Sequence, residues 1–263
     1  MPKIAGIDFD QKGEGYPTVI CLHGIGGDSD SFLPQLDFFS SNFRIISWNM
    51  PGYKNSDFIK NLTFEKLSYC LFNFIKSLKI KKCHLIGQSI GGMIAQDFAL
   101  RFPELIEGLV LLATTSAFGG KNDDFKKEFI KSRLQPLDEG INMDFLAKIT
   151  IPKIVGKKIE KKNLDIAINS MAKIPEKTYR EILKCLVTFD RYFEIEKLAI
   201  PCCLLSGKID NNAPARTMQK ISLKIQNSQF HIFEKVGHLI NLEIPEVSNT
   251  IISKFLNSLK VKL

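Results

Sequence analysis

The chain is poor in the residues that most often carry metal or redox chemistry. Among 263 residues there are four histidines and one tryptophan. The six cysteines (Cys21, Cys70, Cys83, Cys185, Cys202 and Cys203) show no zinc-type spacing. None is flanked by glycines as an exposed thiol nucleophile would be, and a disulfide framework is not expected in so long a chain. They are read as reduced, mostly buried small hydrophobes. No apolar run approaches the roughly 18 residues of a membrane span. The opening "MPKIAGIDFD" lacks the apolar core of a secretory signal, so a soluble, cytoplasmic protein is expected. Repeats and low-complexity tracts are missing too.

Charge excludes less. Lys and Arg number 36 against 28 Asp and Glu, a net charge of +8. The lysines are scattered, as in "KKEFIKSR" (126–133) and "GKKIEKK" (156–162), with no nucleic-acid motif among them. They read as a solvated face with a mild attraction for anionic substrates, and no nucleic-acid partner is expected.

Apolar residues make up 44% of the chain, enough for a large core, and their order is informative. Short apolar runs at 18–24, 43–52, 83–87, 106–116, 200–210 and 228–237 read as strands. Amphipathic stretches at 30–41, 63–80, 91–103, 214–225 and 245–260 read as helices, with Asp30 or Ser31 near the start of the first and Thr63 capping the second. This alternation predicts an α/β fold, a mostly parallel central sheet with helices on both faces. Between 118 and 190 the strand rhythm stops. Helices are predicted near 122–134, 142–148, 161–173 and 176–188, punctuated by Pro136, Pro152 and Pro175. The organisation is therefore a core (1–117), a helical lid (118–190) and a second part of the core (191–263).

One junction stands out. In "HLIGQSIGGMIAQ" (84–96) a strand must become a helix at once, with Gly87 and Gly91 two positions either side of Ser89 and Gly92 beyond. Such a bend forces its apex to positive φ and crowds the neighbouring backbone. It would present the Ser89 hydroxyl at the strand's carboxyl end, beside the unpaired N–H groups of a helix start. No Gly-Lys-[Ser/Thr] follows, which disfavours a phosphate-binding loop.

A serine needs a base. His84 lies within the strand entering the bend and reads as structural. His231 lies within another strand. His23 sits in "LHGIGG" after an early strand. His238 follows Gly237 in a loop beyond the last strand, free to reach the sheet's carboxyl edge. Asp210, ending "LLSGKID", is the leading partner for it; Asp123 and Asp124 are the runners-up.

The Gly-x-Ser-x-Gly elbow in this setting resembles the α/β-hydrolase superfamily. The resemblance extends from about Pro17 to the end. It includes Gly207, Asp210 and Pro214, and "WNMPGYKNS" (48–56), which is similar to the family's Pro-Gly-x-Gly-x-Ser turn with Lys54 in place of the second glycine. It implies a Ser89, His238, Asp210 triad and an oxyanion hole from the N–H groups of Ile25 and Ile90. His23 would brace a loop. One or both of the family's antiparallel edge strands would be reduced or missing before Pro17. The elbow, "INLEIPE" and the lid are similar to enol-lactonases, esterases and cofactor-free perhydrolases. That implies a small-molecule ester or lactone substrate and no metal or organic cofactor. A carbon–carbon bond hydrolase, a thioesterase or a non-catalytic receptor are the alternatives. The serine argues against the dehalogenase and epoxide hydrolase branches, which use an Asp there. A homodimer is the one protein assembly entertained.

Overall fold

The computed structural model describes residues 3–119 and 123–260. Seven strands form one sheet: β1 (Phe9–Lys12), β2 (Thr18–Leu22), β3 (Arg44–Trp48), β4 (Cys83–Gln88), β5 (Ile106–Leu112), β6 (Cys202–Gly207) and β7 (Ser228–Phe233). Their order is β1-β3-β2-β4-β5-β6-β7. β1 runs antiparallel to β3 and every other pairing is parallel. β2, β4 and β6 are buried at every position, which is why they read as continuous apolar runs. The adjacent Cys202 and Cys203 enter separate apolar layers, one on each face of the sheet. All six cysteines are free thiols, five of them buried, and burial pushes those of Cys185, Cys202 and Cys203 up to about 12.

Helices cover both faces. α1 (Leu33–Phe39) and the C-terminal helix (Pro245–Lys260) contribute Leu36, Phe39, Ile252, Phe255 and Leu256 to one layer. α2 (Phe64–Ser77) and α3 (Ile90–Arg101) contribute Leu71, Phe74, Ile94 and Phe98 to the other. Thr63 caps α2, its hydroxyl accepting from the Lys66 N–H at 3.1 Å. Between β5 and β6 come α4 (Asp123–Asp138), α5 (Met143–Ile154), α6 (Lys161–Ala172) and α7 (Glu176–Leu186). After β6 come α8 (Ala215–Lys224), the one-turn α9 (Ile240–Glu243) and the C-terminal helix, α10. Among the described residues no helix is long and apolar enough to cross a membrane.

One short antiparallel edge strand, β1, is present before Pro17, in keeping with the expectation that one or both of the edge strands are reduced or missing. Its four residues, only half-buried or exposed, are too few to show a period. The first helix opens with a 3₁₀ turn (Ser29–Phe32) that contains Asp30 and Ser31 and is capped by Asp28. The Asp28 carboxylate accepts from the Asp30 N–H, while the Ser31 hydroxyl accepts from the Asp28 N–H. Pro136 and Pro152 lie inside α4 and α5. Both sit in the last turn, so the one ladder bond that each proline forfeits lies close to the helix end, and α5 runs six residues beyond its expected end. Asn122, the expected start of α4, is outside the described residues.

Candidate active site

β4 passes into α3 through a single residue. Ser89 adopts φ 54° and ψ −120°, a conformation strained for any residue with a Cβ. The surrounding backbone leaves no room for larger neighbours. A Cβ on Gly87 would stand 2.5 Å from the Gly91 carbonyl oxygen, and one on Gly91 2.0 Å from that of Leu22. The bend is fixed from β5: Ser89 N–H donates to the Leu112 carbonyl at 2.9 Å, and the Thr114 hydroxyl donates to the Ser89 carbonyl at 2.7 Å.

The loops after β6 and β7 converge on this point. His238 Nε2 lies 3.0 Å from Ser89 Oγ, and its Nδ1 lies 2.8 Å from Asp210 Oδ2. A carboxylate can only accept, so Nδ1–H donates to Asp210 and Nε2 is left to accept from the serine hydroxyl. Asp210 Oδ1 accepts from the N–H groups of Asn212 (2.8 Å) and Ala213 (3.1 Å). Burial raises the Asp210 carboxyl, but the His238 ring and these N–H groups outweigh it and hold it below the ordinary carboxylate value.

Of the two expected oxyanion donors, Ile90 directly follows the serine and Ile25 lines the cavity. Ile90 opens α3, so its N–H has no carbonyl four residues back in the helix. Ile25 borders the cavity above Ser89, and Tyr53 Oη holds its loop by donating to the Ile25 carbonyl at 2.8 Å. His23 sits beneath. Its Nδ1 lies 2.8 Å from the Gly24 carbonyl and its Nε2 accepts from the Met50 N–H at 3.0 Å. Burial holds its pKa down to about 4, so it is a neutral brace.

The remaining sequence candidates stand apart. His84 is buried within β4, and His231 lies half-buried on the edge strand β7. Asp123 and Asp124 are exposed at the start of α4 and make no contact with His238.

Two supporting side chains escape the sequence reading. Gln88 Nε2 donates to the His238 carbonyl at 2.9 Å. Glu243, in α9, accepts three backbone N–H groups: Gly156 (2.6 Å), Gly237 (2.8 Å) and Leu239 (2.9 Å). Burial raises its carboxyl despite these bonds and the nearby His238. Glu243 thus ties the residues either side of His238 to the turn after α5. An isolated acid in the apolar run "INLEIPE" is the sequence signal for it.

Above Ser89 lies a cavity of about 580 Å³, of the size that takes a small organic molecule. Met93, Ile151, Met171 and Leu183 give it an apolar wall, drawn largely from α5, α6 and α7. Among the described residues no three His, Cys, Asp or Glu side chains are grouped to hold a metal ion.

A parallel sheet with a serine elbow after its central strand defines the α/β-hydrolase fold. Residues 17–141 match the alpha/beta hydrolase fold family, and the chain adopts the α/β-hydrolase fold. It is 25% identical to 3-oxoadipate enol-lactonase 1 of Acinetobacter baylyi, over 94% of this chain and 91% of that protein. It is 23% identical to the pimeloyl-[acyl-carrier protein] methyl ester esterase of Legionella pneumophila, over 95% and 99%. A thermophilic esterase from Thermogutta terrifontis superposes with a TM-score of 0.87 at 22% identity, covering 96% of this chain and 93% of that one.

Proposed function

We propose that this protein cleaves carboxylic esters or lactones through a covalent acyl-serine. The observation that carries the reading is the hydrogen-bonded chain from Ser89 through His238 to Asp210 at the floor of the cavity. Ser89 Oγ attacks the carbonyl carbon while its proton passes to His238 Nε2. The tetrahedral oxyanion is held by the N–H groups of Ile25 and Ile90. Collapse breaks the bond to the leaving oxygen, which takes the proton from Nε2. In a lactone that oxygen stays attached to the acyl chain. Water, deprotonated by His238, then attacks the acyl-serine and frees the acid. Asp210 keeps Nδ1 protonated and stabilises the imidazolium formed at each stage. Residues 118–190 act as a cap that excludes bulk water and shapes the acyl site. The names of the enol-lactonase and methyl ester esterase relatives agree with this chemistry.

The test is turnover of p-nitrophenyl esters and labelling by a fluorophosphonate. Ser89→Ala is expected to lower kcat by at least about 10⁴-fold and abolish labelling, with an unchanged circular dichroism spectrum. Full activity in that variant would remove Ser89 from the reaction. Labelling of the wild type without turnover of any ester or lactone would favour a receptor.

A further inference from the structure

Among the described residues the lining of the cavity contains no Asp or Glu, but it does contain two arginines, Arg133 of α4 and Arg216 in the first turn of α8. Of the other four arginines, Arg44 donates twice to Gln11 Oε1, on the β1 edge of the sheet and away from the cavity. Arg101, Arg180 and Arg191 each engage carboxylates. Among the described residues, Arg133 and Arg216 form no ion pair. Arg133 is half-buried. Its guanidinium lies 5.2 Å from the centre of the Phe129 ring. One of its five N–H donors reaches Asn212 Oδ1, at 3.3 Å. Asn212 is two residues past Asp210, and Arg216 four further on, so both cations border the same side of the cavity as the loop that carries Asp210. A half-buried guanidinium against an aromatic wall, with free donors and no counter-ion, is a poor arrangement for an empty protein and a good one for binding an anion.

We propose that Arg133 and Arg216 bind a second, ionised acid group of the substrate, remote from the scissile carbonyl. The inference rests on the hydrolase reading and narrows it to monoesters or lactones of dicarboxylic acids. The apolar wall takes the chain between the two ends.

The experiment compares mono-p-nitrophenyl adipate with p-nitrophenyl hexanoate, which has the same chain length without the second acid. In Arg133→Gln/Arg216→Gln the acid-to-neutral ratio of kcat/KM is expected to fall about 10- to 100-fold, the effect of losing charge-assisted hydrogen bonds. Turnover of the hexanoate should hold. Lys127→Gln/Lys131→Gln removes equal charge from exposed positions of α4 and is expected to leave the ratio within two-fold. A fall of less than three-fold in the arginine variant, or an equal fall in the lysine control, overturns the proposal. If the double variant does not fold, Arg216→Gln alone, at an exposed site, is read by the same criterion.

Failure of the hydrolase reading itself looks different, because neither ester would be turned over and Ser89 would resist fluorophosphonate. The anion site is then judged by calorimetry of monomethyl adipate against Ser89→Ala. Binding weakened at least ten-fold by the arginine substitutions sustains it; no binding, or binding indifferent to them, ends it.

Discussion

Replacing Ser89 with glycine and with alanine separates the two things this residue does. Either substitution deletes the hydroxyl, so both should abolish esterase turnover equally. They differ in the backbone. At φ 54° and ψ −120° alanine keeps the strain of a Cβ, about 1–3 kcal/mol for such conformations. Glycine releases that strain but adds about 0.4–1 kcal/mol of freedom to the unfolded chain. The net expectation is that Ser89→Gly is about 0.5–2 kcal/mol more stable than Ser89→Ala. For a chain of 263 residues, 1 kcal/mol moves the melting point by about 2 °C. Calorimetric melting should therefore place the glycine variant about 1–4 °C higher. A glycine variant that melts with the alanine variant, or below it, would refute the claim that the elbow stores strain to expose its side chain.

Three further outcomes are expected. Glu243→Gln leaves one carbonyl oxygen, and an amide that faces donors, in place of two acceptor oxygens. It should cost about 2 kcal/mol in urea denaturation and lower kcat about ten-fold while KM changes less, because the His238 loop loosens. Gly24→Ala would put a methyl 2.1 Å from Gln88 Oε1 and 3.3 Å from Ser89 Cβ. Since Gln88 holds the His238 carbonyl, kcat/KM should drop about 100-fold, and wild-type kinetics would show that the contact is dispensable. His23, held down to about 4 in the fold, gains a proton more readily in the unfolded chain. Its contribution to stability is fully present above about pH 6.5 and lost as the pH falls through about 4, up to about 3 kcal/mol. Urea titrations at pH 7 and pH 4 should show a smaller difference in His23→Gln than in the wild type, and an equal difference would contradict the assignment.

What the sequence makes legible follows from how each feature is encoded. The parallel strands are buried on both faces, so each announces itself as an unbroken apolar run. The elbow is written in glycines because nothing else fits 2.0–2.5 Å from backbone oxygens. His238 and Asp210 are found because each follows a strand on the same edge of one parallel sheet. β1 is obscure because edge pairing through four half-buried or exposed residues leaves no pattern. Lys54 is a subtler case. It occupies φ 44°, the left-handed region that explains a glycine at this place in related turns. The lysine keeps that shape while its Nζ reaches Asp30 Oδ1 at 2.7 Å and Ser29 Oγ at 2.7 Å. Gln88 and Glu243 act by hydrogen bonds to backbone across distant loops, and no local spacing encodes such a partner. Asp28 shows the same limit, since its Oδ1 also accepts from Ser170 of α6 at 2.7 Å.

The stretch between β5 and β6 is bound to the core at both ends. At its base the stretch closes on itself: Phe118 N–H donates to the Phe189 carbonyl and Arg191 N–H to the Ser116 carbonyl, each at 2.7 Å. Arg191 also grips the buried Asp97 of α3 at 2.5 Å and 2.8 Å, and Ser68 and Arg101 complete that carboxylate's shell. At the far end, His238 N–H donates to the Ile154 carbonyl at 2.8 Å, Gly156 N–H to Glu243, and Asn163 Nδ2 to the Leu242 carbonyl at 2.9 Å. The imidazole is therefore positioned as much by the turn between α5 and α6 as by its own strand. Swinging these helices away as a rigid flap would break the bonds that hold His238 at 3.0 Å from Ser89. On the proposed mechanism, substrate selection and the placing of the base are tied to one piece of chain, and substitutions around residues 154–163 should register in kcat as well as in KM.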